Sequence, residues 1–187
     1  MTDSKPDAKT DTKTDSKTWW ERTKADEAAL HAWLYDQYRG EVGASERIEA
    51  FRDAFAAPDT RAHRLLTIIA GQERAHAAWV GELLVARGLS PEVRDEASRY
   101  WEAPLAAIED LETGCAVGAH AERMRLERIE VIARDDDAPA DVRAVFARIL
   151  GEERFHERAF RSLSTPEALE RTREAHTKGR NALGLVA

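Results

Sequence analysis

The sequence predicts an all-α chain: an antiparallel four-helix bundle with a long connection between helices two and three, plus a short C-terminal helix. Three observations carry this. Apolar residues recur at helical spacing through four long stretches. No segment alternates apolar and polar residues between turn signals as a half-buried strand would. And one unit occurs twice. Gly71-Gln72-Glu73-Arg74-Ala75-His76 is matched by Gly151-Glu152-Glu153-Arg154-Phe155-His156. Glu41 lies 32 residues before Glu73, and Glu122 lies 31 before Glu153. Behind each lone glutamate stands the same tetrapeptide, Glu46-Arg47-Ile48-Glu49 and Glu127-Arg128-Ile129-Glu130. A period of about 80 residues that occurs twice describes a duplicated helical hairpin, not a solenoid.

Composition narrows the function classes. A chain of 187 residues suits one domain with a real core. Its net charge of -7 argues against a nucleic-acid partner, which calls for a basic face. A single cysteine, Cys115, excludes an internal disulfide and any Cys-x-x-Cys metal knuckle, and fits a cytoplasmic protein. No apolar run approaches the ~18 residues of a membrane span, so no membrane partner is expected.

In chain order, residues 3–18 read as four tetrads, beginning Asp3-Ser4-Lys5-Pro6 and Asp7-Ala8-Lys9-Thr10, within a tail over 1–18. Charges alternate and little is apolar, so this stretch reads as a disordered tail without the apolar core of a signal peptide. The folded domain is expected over 19–187. The first long helix is expected over 23–55. Leu34 and Ile48 lie seven residues either side of Glu41, which turns that carboxylate into the core, while Glu46 points away and Glu49 sits on the flank. Pro58 and Asp59 signal a stop and restart. Helix two, 60–87, carries Leu66, Ile69, Glu73, His76, Val80 and Leu83 on one stripe, with Gly88 as its C-cap. Ser90-Pro91-Glu92 predicts a short bridging helix to about residue 100, ended by Trp101 and Pro104. Helix three, 104–134, spaces Ile108, Cys115, Glu122 and Ile129 at intervals of seven. Helix four, 140–163, aligns Phe146, Ile149, Glu153, His156 and Phe160. Thr165-Pro166-Glu167 starts a fifth helix, ending near residue 179.

Each long helix therefore carries polar groups in the middle of an apolar stripe. In Glu-x-x-His the two side chains share a helix face about one turn apart and converge on one point, as metal ligands do. Four bare buried carboxylates are very unfavourable. Two divalent cations would balance their charge, and two neutral imidazoles complete the donor set. Cys115 and Tyr38 read as core residues. Ala44, Gly118 and Ala119, one turn from the lone glutamates, either allow close packing or leave a small cavity. His31, His63, His120 and His176 fall off the ligand stripe and read as surface or boundary residues.

A Glu on each of two helices and Glu-x-x-His on each of two others is the ligand pattern of ferritin-like di-iron and di-manganese bundles. The chain resembles that superfamily, which includes rubrerythrins, bacterioferritins and demethoxyubiquinone hydroxylases, over most of 23–163. The resemblance implies Glu41, Glu73, His76, Glu122, Glu153 and His156 as metal ligands. Either Glu73 and Glu153 or Glu41 and Glu122 would bridge the ions. It implies two Fe ions, or a Mn/Fe or Mn2 pair, reacting with O2 or peroxide. It also implies a small-molecule substrate, an external electron donor and a possible homodimer. Rubrerythrins typically add a carboxylate one turn after the helix-three ligand, where this chain has Arg125, and a rubredoxin module, for which four cysteines are lacking. Bacterioferritins place a haem-binding Met where Arg74 stands. No haem and no nucleotide is expected. Gly40-Glu41-Val42-Gly43-Ala44 is similar to the first ligand segment of the demethoxyubiquinone hydroxylases, but the apolar helix-two to helix-three link of those enzymes is charged here. Three classes follow: an oxidase, oxygenase or peroxidase; a ferroxidase storing iron in a cage; or a structural protein with a vestigial site.

Overall fold

The computed structural model describes residues 15–93 and 99–185. Among them are seven helices and no strand: α1 (Ser16–Ala25), α2 (Glu27–Phe55), α3 (Arg61–Val85), α4 (Glu102–Ala106), α5 (Leu111–Ala133), α6 (Ala140–Leu163) and α7 (Pro166–Ala182). The bundle consists of α2, α3, α5 and α6. Short turns make α2–α3 and α5–α6 antiparallel hairpins, and each helix packs most extensively on its hairpin partner. The hairpins meet where α3 faces α6. No helix among the described residues is long and apolar enough to cross a membrane.

Several boundaries differ from the sequence reading, each for a local reason. Of the tail expected over 1–18, residues 1–14 lie outside the described residues. Asp15 instead caps α1, its carboxylate accepting from the Thr18 N–H at 2.8 Å, so helix starts before Trp19. The single helix expected over 23–55 is two. Asp26 is extended and accepts from the N–H groups of Ala28 and Ala29, capping α2 and breaking it from α1. The break lets α1 fold across the start of α2 and the end of α5. There Trp20 is fully buried and donates its indole N–H to Asp135 at 2.7 Å, while Lys24 pairs with the same carboxylate at 2.8 Å.

The short helix expected to span about 90–100 does not start at its Ser-Pro-Glu signal: residues 90–93 are not helical, and 94–98 lie outside the described residues. Trp101 and Pro104, read as its end, instead open α4. Helix three starts at Leu111 rather than at residue 104, because Asp110 and Thr113 form a reciprocal capping box. The fifth helix runs three residues further than expected, to Ala182. Gly88 closes α3 with φ 71°, in the left-handed region that glycine tolerates.

The core forms two apolar clusters, one on each side of the six stripe residues along the bundle axis. One contains Trp20, Trp33, Leu34, Val80 and Phe146. The other contains Leu66, Ile69, Cys115, Ala119 and Phe160. Cys115 is fully buried, and burial pushes its thiol up to about 12. Ala119 packs in the core. Ala44 and Gly118 line a cavity between α2 and α5. At Gly118 a Cβ would stand 2.7 Å from the Phe160 ring, so this glycine lets the ring in. Both readings of the small residues therefore hold, at different positions.

Candidate metal centre

The four bundle helices bring all six predicted residues to one level. Glu41 comes from α2, Glu73 and His76 from α3, Glu122 from α5, Glu153 and His156 from α6. All six are buried, five of them completely. They form two overlapping groups: Glu41, Glu73, His76 and Glu153 in one, Glu73, Glu122, Glu153 and His156 in the other. Within each group the ligand atoms lie within 4.8 Å of one another. Glu73 and Glu153 belong to both. His76 Nδ1 stands 3.6 Å from Glu73 and 3.5 Å from Glu153. His156 Nδ1 stands 3.1 Å from Glu73 and 3.5 Å from Glu153.

The far nitrogen of each imidazole is engaged by the opposite copy of the repeat. His76 Nε2 lies 3.0 Å from the Glu152 carboxylate, and His156 Nε2 lies 3.0 Å from the Gln72 side-chain oxygen. Both partners are acceptors, so Nε2 carries a proton and Nδ1 faces the carboxylates. Further out, Arg74 pairs with Glu49 at 2.6 Å and Arg154 with Glu130 at 2.8 Å. The two arginines of the repeated hexapeptides thus hold the last glutamates of the repeated tetrapeptides, outside the site.

Arg125 was not anticipated as part of the site. Its guanidinium pairs with Glu41, lies 2.9 Å from Glu153 and reaches within 3.9 Å of Glu73. It lies one turn after Glu122, on the face of α5 that looks into the bundle. Gln72 and Glu152 were also missed, although their matched places one residue before each Glu-x-x-His glutamate were a usable signal.

The electrostatics are those of a site short of positive charge. Burial raises Glu122 well above the ordinary carboxylate value, and the charges of Glu153 and Glu73 raise it further. Burial would raise Glu153 too, but Arg125 and His156 outweigh it and hold that carboxyl well below. Burial alone would lower both histidines, yet the surrounding glutamates raise them. Arg125 reaches three of the four carboxylates, and Arg47 offsets part of the charge at Glu122 from further away. Every carboxylate oxygen of Glu41, Glu73 and Glu153, and Nδ1 of both histidines, is buried without a hydrogen bond. The contacts among them are close but misdirected for hydrogen bonding. Orphaned acceptors at this density fit cations that take several lone pairs at once, and a donor set of carboxylates and imidazole suits iron or manganese.

The family model for rubrerythrin matches residues 33–164, most of the chain and all six residues. The chain belongs to the rubrerythrin family. That places it in the ferritin-like di-iron carboxylate superfamily, with the all-α bundle described above. No curated protein and no solved structure matches the chain. Rubrerythrins bind a di-iron centre. This rubrerythrin-family chain supplies a buried carboxylate and histidine cluster that fits one.

Proposed function

We propose that the chain is a di-iron oxidoreductase, acting as an oxidase, oxygenase or peroxidase on a small substrate. The observation that carries this is the pair of overlapping ligand groups, buried and orphaned, opening onto a cavity of about 630 Å³. Glu41 and His76 would hold one ion and Glu122 and His156 the other, with Glu73 and Glu153, present in both groups, available to both. When bound, such a pair supplies two electrons together to O2 or peroxide.

The chain's own residues do the rest. Glu152 and Gln72 engage Nε2 of each imidazole, which orients the ring and leaves Nδ1 to face the ions. The apolar clusters on either side keep bulk water from the carboxylates. Arg125 balances part of the negative charge and restrains Glu41 and Glu153. Glu73 and Glu122 line the cavity, so a substrate there lies beside the centre. That access supports an enzyme over a storage shell or a vestigial site.

The test is iron stoichiometry and cycling. Fe(II) added anaerobically should saturate near two per chain. Exposure to O2 or peroxide should oxidise the centre, and a chemical reductant should restore it through repeated rounds. Uptake of tens of irons per chain by a large particle would establish storage instead. Two ions that neither oxidant alters would establish a structural role.

A further inference from the structure

The duplicated tetrapeptide carries two arginines that the metal centre does not use. Arg47 and Arg128 both line the cavity between α2 and α5. Each lies six residues beyond its lone glutamate, on helices that run in opposite directions. They therefore stand on opposite sides of the metal level, each about 9 Å along its helix axis from Glu41 or Glu122. Each guanidinium lies over an indole: Arg47 is 4.3 Å from the centre of a Trp101 ring, and Arg128 is 4.4 Å from a Trp19 ring. Among the described residues neither has a carboxylate within ion-pairing distance.

Their electrostatic settings differ. Arg47 is lowered by burial, but the charges of Glu73, Glu46 and Glu122 act on it in compensation. Arg128 is lowered by burial and again by the like charge of Arg180, with Glu127 in partial compensation. Glu127 itself pairs with Arg180 at 3.2 Å. The Nε of Arg128 is buried with no hydrogen bond. A largely buried guanidinium beside another cation, with an orphaned donor, is unfavourable unless an anion joins it. The rest of the cavity is mainly apolar and aromatic. Phe55, Leu105 and Leu183, three of the large apolar side chains left exposed, line it as well. Its volume is within the range of small-molecule sites.

We infer that this cavity binds a monomeric aliphatic carboxylate, its head group on Arg128 and its hydrocarbon body lying past Glu122 and Glu73. Naming that body as the substrate rests on the reading of the centre given above; the binding itself does not require metal. Charge complementarity selects the carboxylate, and the apolar walls and mouth select an aliphatic body over a bare inorganic anion.

Calorimetric titration of the full chain, metal-free and iron-loaded, tests this with decanoate below its micellar concentration, decanol and decylamine. One decanoate per chain should bind in both forms, at least tenfold more tightly than decanol or decylamine. Arg128→Gln should weaken decanoate about tenfold or more, the scale of a charge-assisted hydrogen bond, and leave decanol unchanged. Arg128→Lys should retain more of the affinity than the Gln variant. Ala44→Trp, which fills the cavity one turn beyond Glu41, should abolish binding of both molecules by the metal-free chain, with circular dichroism verifying the fold. Equal affinity for decanoate and decanol, unchanged decanoate binding by Arg128→Gln, or full binding by Ala44→Trp would overturn the proposal. Because the metal-free form is titrated separately, a centre that fails to cycle leaves this result standing. A centre that cycles while decanoate fails to bind refutes only the ligand.

Discussion

At the scale of single residues the two proposed metal groups share Glu73 and Glu153 and keep the other four residues apart, and substitutions should report the division. Glu73→Ala or Glu153→Ala removes an oxygen donor from both groups and should reduce iron content at both positions. His76→Ala or His156→Ala should lose one ion. Glu49→Ala, which removes only the outer partner of Arg74, should keep two. Metal analysis of the purified variants decides this. Arg125 makes an opposing prediction. Its removal as Arg125→Leu leaves buried carboxylates without their cation, so the metal-free protein should lose about 3–5 kcal/mol. With Fe(II) bound the deficit should shrink, because the ions then supply the charge. Thermal melts with and without anaerobic Fe(II) measure both. The six clustered residues were legible because helical spacing aims them inward and the repeat names them twice. Arg125 was not, because an arginine on a stripe is not a ligand type; its role appears only once α2 and α6 bring Glu41 and Glu153 to it.

Among the elements, the four long helices were readable from periodicity, and their ends were not. The capping box at Asp110 and the break at Asp26 are each decided by one short side chain competing for backbone N–H groups, a choice that hydrophobic pattern does not register. The docking of α7 was equally hidden, since it depends on residues far apart in sequence. His176 accepts a hydrogen bond from the Tyr100 hydroxyl at 2.8 Å and stacks on His120, whose Nε2 donates to the Leu169 carbonyl. Burial, then the charges of His120 and Arg180, lowers His176 from 6.5 to about 4. Its neutral form is thus the folded form. Between those values the unfolded chain binds more protons, so stability rises with pH and is lost as pH falls from about 6.5 to about 4. For a partly exposed group this should amount to about 1–3 kcal/mol. Urea titrations of wild type and His176→Gln across this window should converge as pH falls, the variant being the less stable at neutral pH. Parallel curves would exclude His176 as the source.

For the whole molecule, packing is unequal around the bundle. The two hairpins are each tightly paired and meet along α3 and α6, while α2 and α5 stand apart around the cavity. They behave like two covers on one spine. At one end α1 clasps the free edges together, with Trp20 and Lys24 on Asp135. At the opposite end α2 and α5 meet through the Phe51 ring on Gly114, and Arg47 lies over Trp101, but among the described residues no further helix packs across both edges. Opening there would separate few contacts, so it should cost far less than global unfolding. Native-state amide exchange should therefore show a gradient along α2 and α5: slow near Leu30 and Ile132, faster near Phe51 and Gly114. Asp135→Asn should flatten that gradient by loosening the clasp. A molecule built this way can admit a guest by breathing at one edge while the spine, and the histidines set in it, stay still.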